Sequence, residues 1–366
     1  MAFDLQELLR ETVRRDASDL HLVAGEYPRM RRYGLLEVIE EEEIDNEVLT
    51  EQLMALTPRA AQREFERYDQ ADFAYELEGV ARFRVNMLRH INGIAAVFRT
   101  IPAKAFTLEE LGMPEILKSF CRNANGLVLV TGKTGSGKST TLAAMIDFIN
   151  SNVKGHIITI EDPIEFVHQR KRCLISQREV GVHTGSFASA LRSALREDPD
   201  VILVGELRDL ETMRLAVTAA EVGILVFGTL HTNSATSTVD RIVNAFPANE
   251  QSQVRAMLAT SLRAVVSQQL VRKKEGDGRV AAIELMVNTP AVSNLLREGK
   301  TEQLETALQG GAAQGMQTMD SALKGLMERG IISPEEAYSH AFNKANFEQY
   351  LTPEEKERAE AALGGH

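Results

Sequence analysis

The sequence predicts an α/β protein in which a smaller α+β domain precedes a larger domain built on a mostly parallel sheet. Three observations predict it. A glycine-rich loop, Gly132-Lys133-Thr134-Gly135-Ser136-Gly137-Lys138-Ser139-Thr140, lies between the apolar run Leu127–Val130 and the helical run Leu142–Ile146. From Gly126 onward, apolar strand-like runs alternate with helical ones, which suits a parallel sheet covered on both faces. Before residue 100 the apolar residues recur with a period of two in short runs, as half-buried strands require.

Taken in order, Leu5, Leu8, Leu9 and Val13 share one face of a helix, and Ser18–Val23 alternates as a strand. Gly25 and Pro28 mark turns. The acidic run Glu37–Glu47 reads as a surface loop entering a helix. Asp72–Leu77 and Arg82–Met87 flank Gly79 and predict a hairpin, with Ile94–Arg99 as a further strand. These elements make residues 1–100 the first domain. Residues 101–118 are the expected linker: Ile101-Pro102-Ala103-Lys104-Ala105-Phe106, then a short helix opened by the Thr107/Glu110 capping box and stopped by Gly112 and Pro114. Residues 119–350 form the second domain, with strands at Leu127–Thr131, His156–Glu161, Val201–Gly205 and Ile224–Thr229, and helices after about Val287. Ser333-Pro334-Glu335-Glu336 is a helix start. Residues 351–366 are polar and are expected to fray.

Composition excludes several classes. A chain of 366 residues has room for about two domains. Its net charge of −11 disfavours tracking along nucleic acid, which wants a basic stripe. Cys121 and Cys173 are its two cysteines, too few for a disulfide framework or a four-cysteine metal site. No apolar run reaches the roughly 20 residues of a membrane span, and Met1–Glu7 has neither the basic nor the apolar part of a secretory signal. A cytoplasmic protein with no direct membrane insertion is expected.

The loop fits the G-x-x-x-x-G-K-[ST] pattern throughout. Its glycines let successive N–H groups curl around an anion, and the following helix adds the positive end of its dipole. Thr134, Gly135, Ser136, Gly137, Lys138, Ser139 and Thr140 are therefore the candidate ATP-binding residues. Lys138 is expected at the β- and γ-phosphates and Ser139 at Mg²⁺. Hydrolysis also needs a residue to place water. Glu206 ends the apolar run Val201–Val204, at the sheet edge where ligands bind. Gly205 stands where such strands usually carry an aspartate, so Mg²⁺ is expected to lean on Ser139, water and a second acidic element. Thr159-Ile160-Glu161-Asp162-Pro163-Ile164-Glu165 supplies it: crowded carboxylates are unfavourable unless a cation or a hydrogen-bond network offsets them. Glu161 and Asp162 are thus candidate metal neighbours and Glu165 a candidate catalytic residue, with a solvated acidic loop as the plainer alternative. His231, in Leu230-His231-Thr232-Asn233-Ser234, is placed to sense the γ-phosphate, or else to bond structurally at a strand end.

The order of these four boxes resembles the secretion-superfamily ATPases, over nearly the whole chain from Ala17-Ser18-Asp19-Leu20-His21 to Gly315-Met316-Gln317-Thr318. The likeness is greatest to the branch that retracts type IV pili. It implies a PAS-like domain before a RecA-like ATPase domain, a ring-shaped homohexamer, twitching motility as the output, an inner-membrane pilus platform protein and a related ATPase paralogue as partners, and a place at the inner-membrane face. It also implies that Arg84 and Arg99 reach the nucleotide; bidentate guanidinium contact to phosphate oxygens is physically apt. Arg192, Arg196 and Arg208 are expected to pair with the acidic boxes. Between Lys274 and Val280 there is no room and no cysteine for the zinc module common in assembly-direction relatives. Ala291-Val292-Ser293-Asn294-Leu295-Leu296-Arg297-Glu298 resembles a stretch of the retraction branch, except for Ser293. That departure, with those at Gly25-Glu26-Tyr27-Pro28 and Tyr33-Gly34, leaves an accessory ring of low turnover and an assembly motor as alternatives.

Overall fold

The structure, a computed structural model, describes residues 4–32, 35–101, 105–276 and 278–363. Tyr33-Gly34, the linker residues Pro102-Ala103-Lys104 and the terminal Gly364-Gly365-His366 lie outside the described residues. The chain forms two compact units. The first is Met1–Lys104 with Pro163–Val167; the second is Ala105–Asp162 with His168–His366. Two boundaries thus differ from expectation: most of the linker belongs to the second unit, and part of the acidic box belongs to the first.

The first unit contains α1 (Leu5–Arg14), β1 (Asp19–Val23), β2 (Arg29–Arg32), β3 (Leu35–Val38), α2 (Asn46–Leu56), α3 (Arg59–Tyr68), β4 (Gln70–Leu77), β5 (Ala81–His90) and β6 (Gly93–Ile101). The strands form one antiparallel sheet in the order β3-β2-β1-β6-β5-β4. Asp4 and Asp45 cap α1 and α2 by accepting backbone N–H bonds, which satisfies donors left free at a helix start. The predicted hairpin is β4–β5, turning at Gly79, whose φ of 71° favours a residue without Cβ. Period-two alternation puts Phe83, Val85 and Met87 in the core and leaves Arg84 exposed. Leu9, Leu53 and Phe65 of the three helices join that core, where Phe83 and Phe98 meet edge to face at 6.3 Å.

The second unit begins with a turn where a helix was expected. Thr107 and Glu110 exchange both capping-box bonds, but Gly112 takes a φ of 65° and no helix extends from them. Next come α4 (Leu117–Phe120), β7 (Gly126–Thr131), α5 (Lys138–Asn152), β8 (His156–Glu161), β9 (Leu174–Glu179), α6 (Phe187–Ala194), β10 (Val201–Val204), α7 (Leu210–Glu221), β11 (Leu225–Leu230), α8 (Ala235–Ala245), α9 (Gln251–Ser261), β12 (Leu262–Arg272) and β13 (Arg279–Val287). Helices α10 (Pro290–Glu298), α11 (Leu304–Gly310), α12 (Met319–Glu328), α13 (Pro334–His340), α14 (Ala345–Glu348) and α15 (Pro353–Leu363) complete it. The tail expected to fray from Leu351 is therefore helical over Pro353–Leu363.

The seven strands run in the order β13-β12-β7-β11-β10-β8-β9, parallel except for the β12–β13 pair. Alternate residues of the central strands face opposite ways. Leu127, Leu129, Ile158, Ile160, Ile202 and Val204 pack against α6 to α10. Val128, Val130, Ile157, Leu203 and Phe227 pack against α4 and α5. Both faces are covered, so the strands read as unbroken apolar runs. Cys121 and Cys173 are free and buried. Burial pushes the Cys121 thiol up to about 12 and also raises that of Cys173. No helix among the described residues is long and apolar enough to cross a membrane.

Candidate active site

Strand β7 ends at Thr131 and the chain turns through the glycine loop into α5. Gly132, Gly135 and Gly137 take φ values of 145°, 78° and 87°, conformations that side-chain-bearing residues rarely adopt. Space demands glycine too: a Cβ on Gly132 would fall 2.3 Å from the Gln268 carbonyl oxygen, and one on Gly137 would fall 2.8 Å from Gln268 Nε2. The Lys138 ammonium donates to the carbonyls of Gly132 and Lys133 at 2.8 and 3.0 Å. It thus lies folded over the loop that is to hold an anion. Ser136 Oγ is buried without a hydrogen-bond partner among the described residues. A loop with glycine at three positions, a lysine at its rim and a buried hydroxyl fit a polyphosphate.

Gln268, on β12, braces the loop and was missed by sequence reasoning. From β12 it donates through Nε2 to the Ser136 carbonyl at 2.7 Å and accepts from Thr141 Oγ1 at 2.8 Å. Its neighbour Ser267 bonds Thr131 at 2.9 Å. The signal was faint: three polar residues, Ser267-Gln268-Gln269, interrupting an apolar run.

Glu206 follows β10 at the C-terminal edge of the sheet. Its carboxylate meets Arg208 Nε at 2.7 Å and His231 Nε2 at 3.3 Å, the latter just beyond β11. The structure so brings together Glu206 and His231, predicted separately. Gly205 has a packing reason. A Cβ there would sit 3.1 Å from the Ile160 carbonyl oxygen and 3.2 Å from Glu161 Cα, both backbone atoms of β8. The aspartate usual at this place has no room.

The acidic box is held by hydrogen bonds, not gathered as a cluster. Glu161 accepts from Thr159 Oγ1 at 2.6 Å and from Gln177 Nε2 at 3.3 Å, and Asp162 from Arg208 at 3.4 Å. Glu165 lies in the segment that belongs to the first unit. Among the described residues, no three His, Cys, Asp or Glu side chains converge as a metal site. Arg208 pairs with the boxes as expected. Arg192 does not: it pairs with Glu211 of α7. Arg196 is exposed and forms no ion pair among the described residues.

In the first unit, Arg84 and Arg99 are directly opposed across β5 and β6, both exposed on the side away from the core. Arg99 Nε bonds the buried carboxylate of Asp19 at 2.9 Å. Like charges facing across a strand pair are unfavourable without an anion to share.

A phosphate cradle on a parallel strand, with a glutamate and a histidine at the ends of neighbouring strands, defines a P-loop ATPase, here with a RecA-like α/β unit after a smaller PAS-like α+β one. The chain belongs to the family described as Type II/IV secretion system protein, whose profile matches residues 2–339. It is 54% identical over 344 residues to the type IV pilus retraction ATPase PilT of Pseudomonas aeruginosa, covering 94% of this chain and all of that protein. It is 42% identical to the type IV pilus ATPase PilU of the same organism, covering 92% of this chain and 88% of the other. A crystal structure of the pilus retraction motor PilT with bound ADP superposes with a TM-score of 0.88 at 43% identity, covering 95% of this chain and 99% of that one.

Proposed function

We propose that this chain hydrolyses ATP as one subunit of a homohexameric motor, at the cytoplasmic face of the inner membrane, and that the motor retracts a type IV pilus to drive twitching motility. The observation that carries the reading is Glu206, held between His231 and Arg208 at the sheet edge where the phosphate loop also opens. An ionised carboxylate there accepts a hydrogen bond from water and aligns it for attack. His231 responds to the γ-phosphate from the neighbouring strand end. Lys138 leaves its loop carbonyls for the β- and γ-phosphates, while the loop N–H groups and the α5 N-terminus neutralise the rest of the charge.

The Ser139 hydroxyl and water would hold Mg²⁺, with Glu161 and Asp162 balancing its charge; the ion would supply neutralisation of the developing phosphate charge. Glu165 is assigned a supporting acidic role. Arg84 and Arg99, exposed and opposed across β5 and β6, are assigned to the triphosphate. An inner-membrane platform protein and a paralogous ATPase are the proposed partners. The greater identity to the retraction ATPase than to PilU favours the main motor over the accessory ring.

Steady-state turnover and nucleotide affinity test this. Lys138→Ala is expected to lose both. Glu206→Gln keeps binding and loses about 100-fold or more in kcat, the scale of removing one preorganised catalytic contact. Arg84→Ala and Arg99→Ala lower turnover with the fold retained. A Glu206→Gln enzyme as fast as the parent would refute the water-positioning role. In cells, deletion should leave excess surface pili without twitching; bald cells would instead point to assembly.

A further inference from the structure

Glu284 of β13 is a buried carboxylate, 6% exposed, that the proposed chemistry does not use. Its Oε1 accepts the Ala235 N–H at 2.8 Å and its Oε2 accepts the Met319 N–H at 3.4 Å. Ala235 opens α8, immediately after the His231–Ser234 turn; Met319 opens α12. One side chain thus joins the N-termini of two helices that lie far apart in sequence. Burial, with Glu305 and Asp320 nearby, raises the Glu284 carboxyl above the usual range, while the two N–H donors oppose that shift.

The side-chain caps leave these two donors to Glu284: the Ser234/Ser237 box on α8 takes the Ser237 and Ser234 N–H groups, and Thr318 Oγ1 takes the Ser321 N–H on α12. A buried carboxylate near two other acids is costly, and the two helix N–H groups offset that cost from one side chain. The same residue lines an open cleft of about 1380 Å³ together with Thr232, Ser237, Asp320 and Phe347. The turn after His231 and the C-terminal helices therefore line one cleft, and Glu284 is hydrogen-bonded to both.

We infer that Glu284 is a positioning residue: through Ala235 it holds the His231 turn, and through Met319 it passes that turn's nucleotide-dependent position to α12 and the helices packed on it. The idea rests on the ATPase reading above. Glutamine is the informative replacement. Its single oxygen can keep the shorter bond to Ala235, but its NH₂ group then faces the Met319 N–H, two donors with no acceptor between them.

Hydrogen exchange with and without a nonhydrolysable ATP analogue tests the link, together with kcat and KM. In the parent chain the analogue should slow exchange in Gly132–Thr140, at residues 231–235 and in the first turn of α12. Glu284→Gln should keep the first two responses and lose the third, with kcat about tenfold lower and KM within about twofold. Thr318→Ala, which loosens the same turn of α12 without touching Glu284, should exchange faster there in both states yet keep the nucleotide-linked difference. Loop protection in the parent with no response at α12 overturns the inference without need of any variant. So does a Glu284→Gln enzyme with the α12 response and parental kcat. No protection of Gly132–Thr140 in the parent would mark failure of the ATPase reading itself.

Discussion

Gly205 shows how one missing side chain shapes the site. Its amide donates to the Ile160 carbonyl at 2.7 Å, and Thr229 Oγ1 donates to the Gly205 carbonyl, so β8, β10 and β11 all close on this residue. Even a methyl group must push β10 away from β8 and shift Glu206 with it. Gly205→Ala is expected to cost about 1–3 kcal/mol, as overpacking does, and to lower kcat more than nucleotide affinity. Thermal unfolding and turnover check this; a variant that melts and turns over like the parent would show that the strand ends yield freely. Residues of the phosphate loop, Glu206 and His231 were legible in the sequence because each lies within a few positions of the strand that presents it. Gln268 was not, since its partners Ser136 and Thr141 stand far away in the chain and only folding brings them near.

Among elements, those with strong periodicity or a clear cap were readable. The hairpin, the central parallel strands and α13 all carried local signals. Strands β2, β3, β9, β12 and β13 went unassigned for physical reasons. β3 is exposed along its length, β9 is a half-buried edge, and β12 carries buried polar residues that break its apolar run. Thr107/Glu110 gave the opposite error, because a capping box secures a turn even when nothing downstream propagates it. Helix α15 had a signal that was overlooked. Thr352-Pro353-Glu354-Glu355 repeats the pattern of Ser333-Pro334-Glu335-Glu336, and Thr352 and Glu355 exchange bonds at 2.8 and 3.3 Å. Arg358 also reaches Glu335 of α13 at 2.9 Å. Thr352→Ala should cost this helix about 1 kcal/mol. The expected result is faster amide exchange over residues 353–358 with unchanged melting of the remainder; unaltered exchange would mean that tertiary contacts alone hold α15.

At the scale of the whole molecule, each unit has its own core, and the sequence located the change of architecture near residue 100 but not the return of Pro163–Val167 to the first unit. No local pattern marks five residues that leave one unit and come back. Just after that segment, burial lowers the His168 imidazole from 6.5 to about 4, and its Nδ1 has no hydrogen-bond partner among the described residues. The unfolded chain therefore takes up this proton first as pH falls. Stability from the neutral ring is complete above pH 6.5 and is lost as pH drops toward 4. Replacing it with a group that does not titrate, as in His168→Gln, should remove about 3 kcal/mol of that pH dependence, read as a flatter Tm profile over the window; parallel profiles would exclude His168 as the cause. Finally, both native thiols are buried and reluctant to ionise. A single cysteine introduced on the surface would then be the one fast-reacting handle for a dye or spin label, so motions of this motor can be followed without first stripping its own sulfur from the interior.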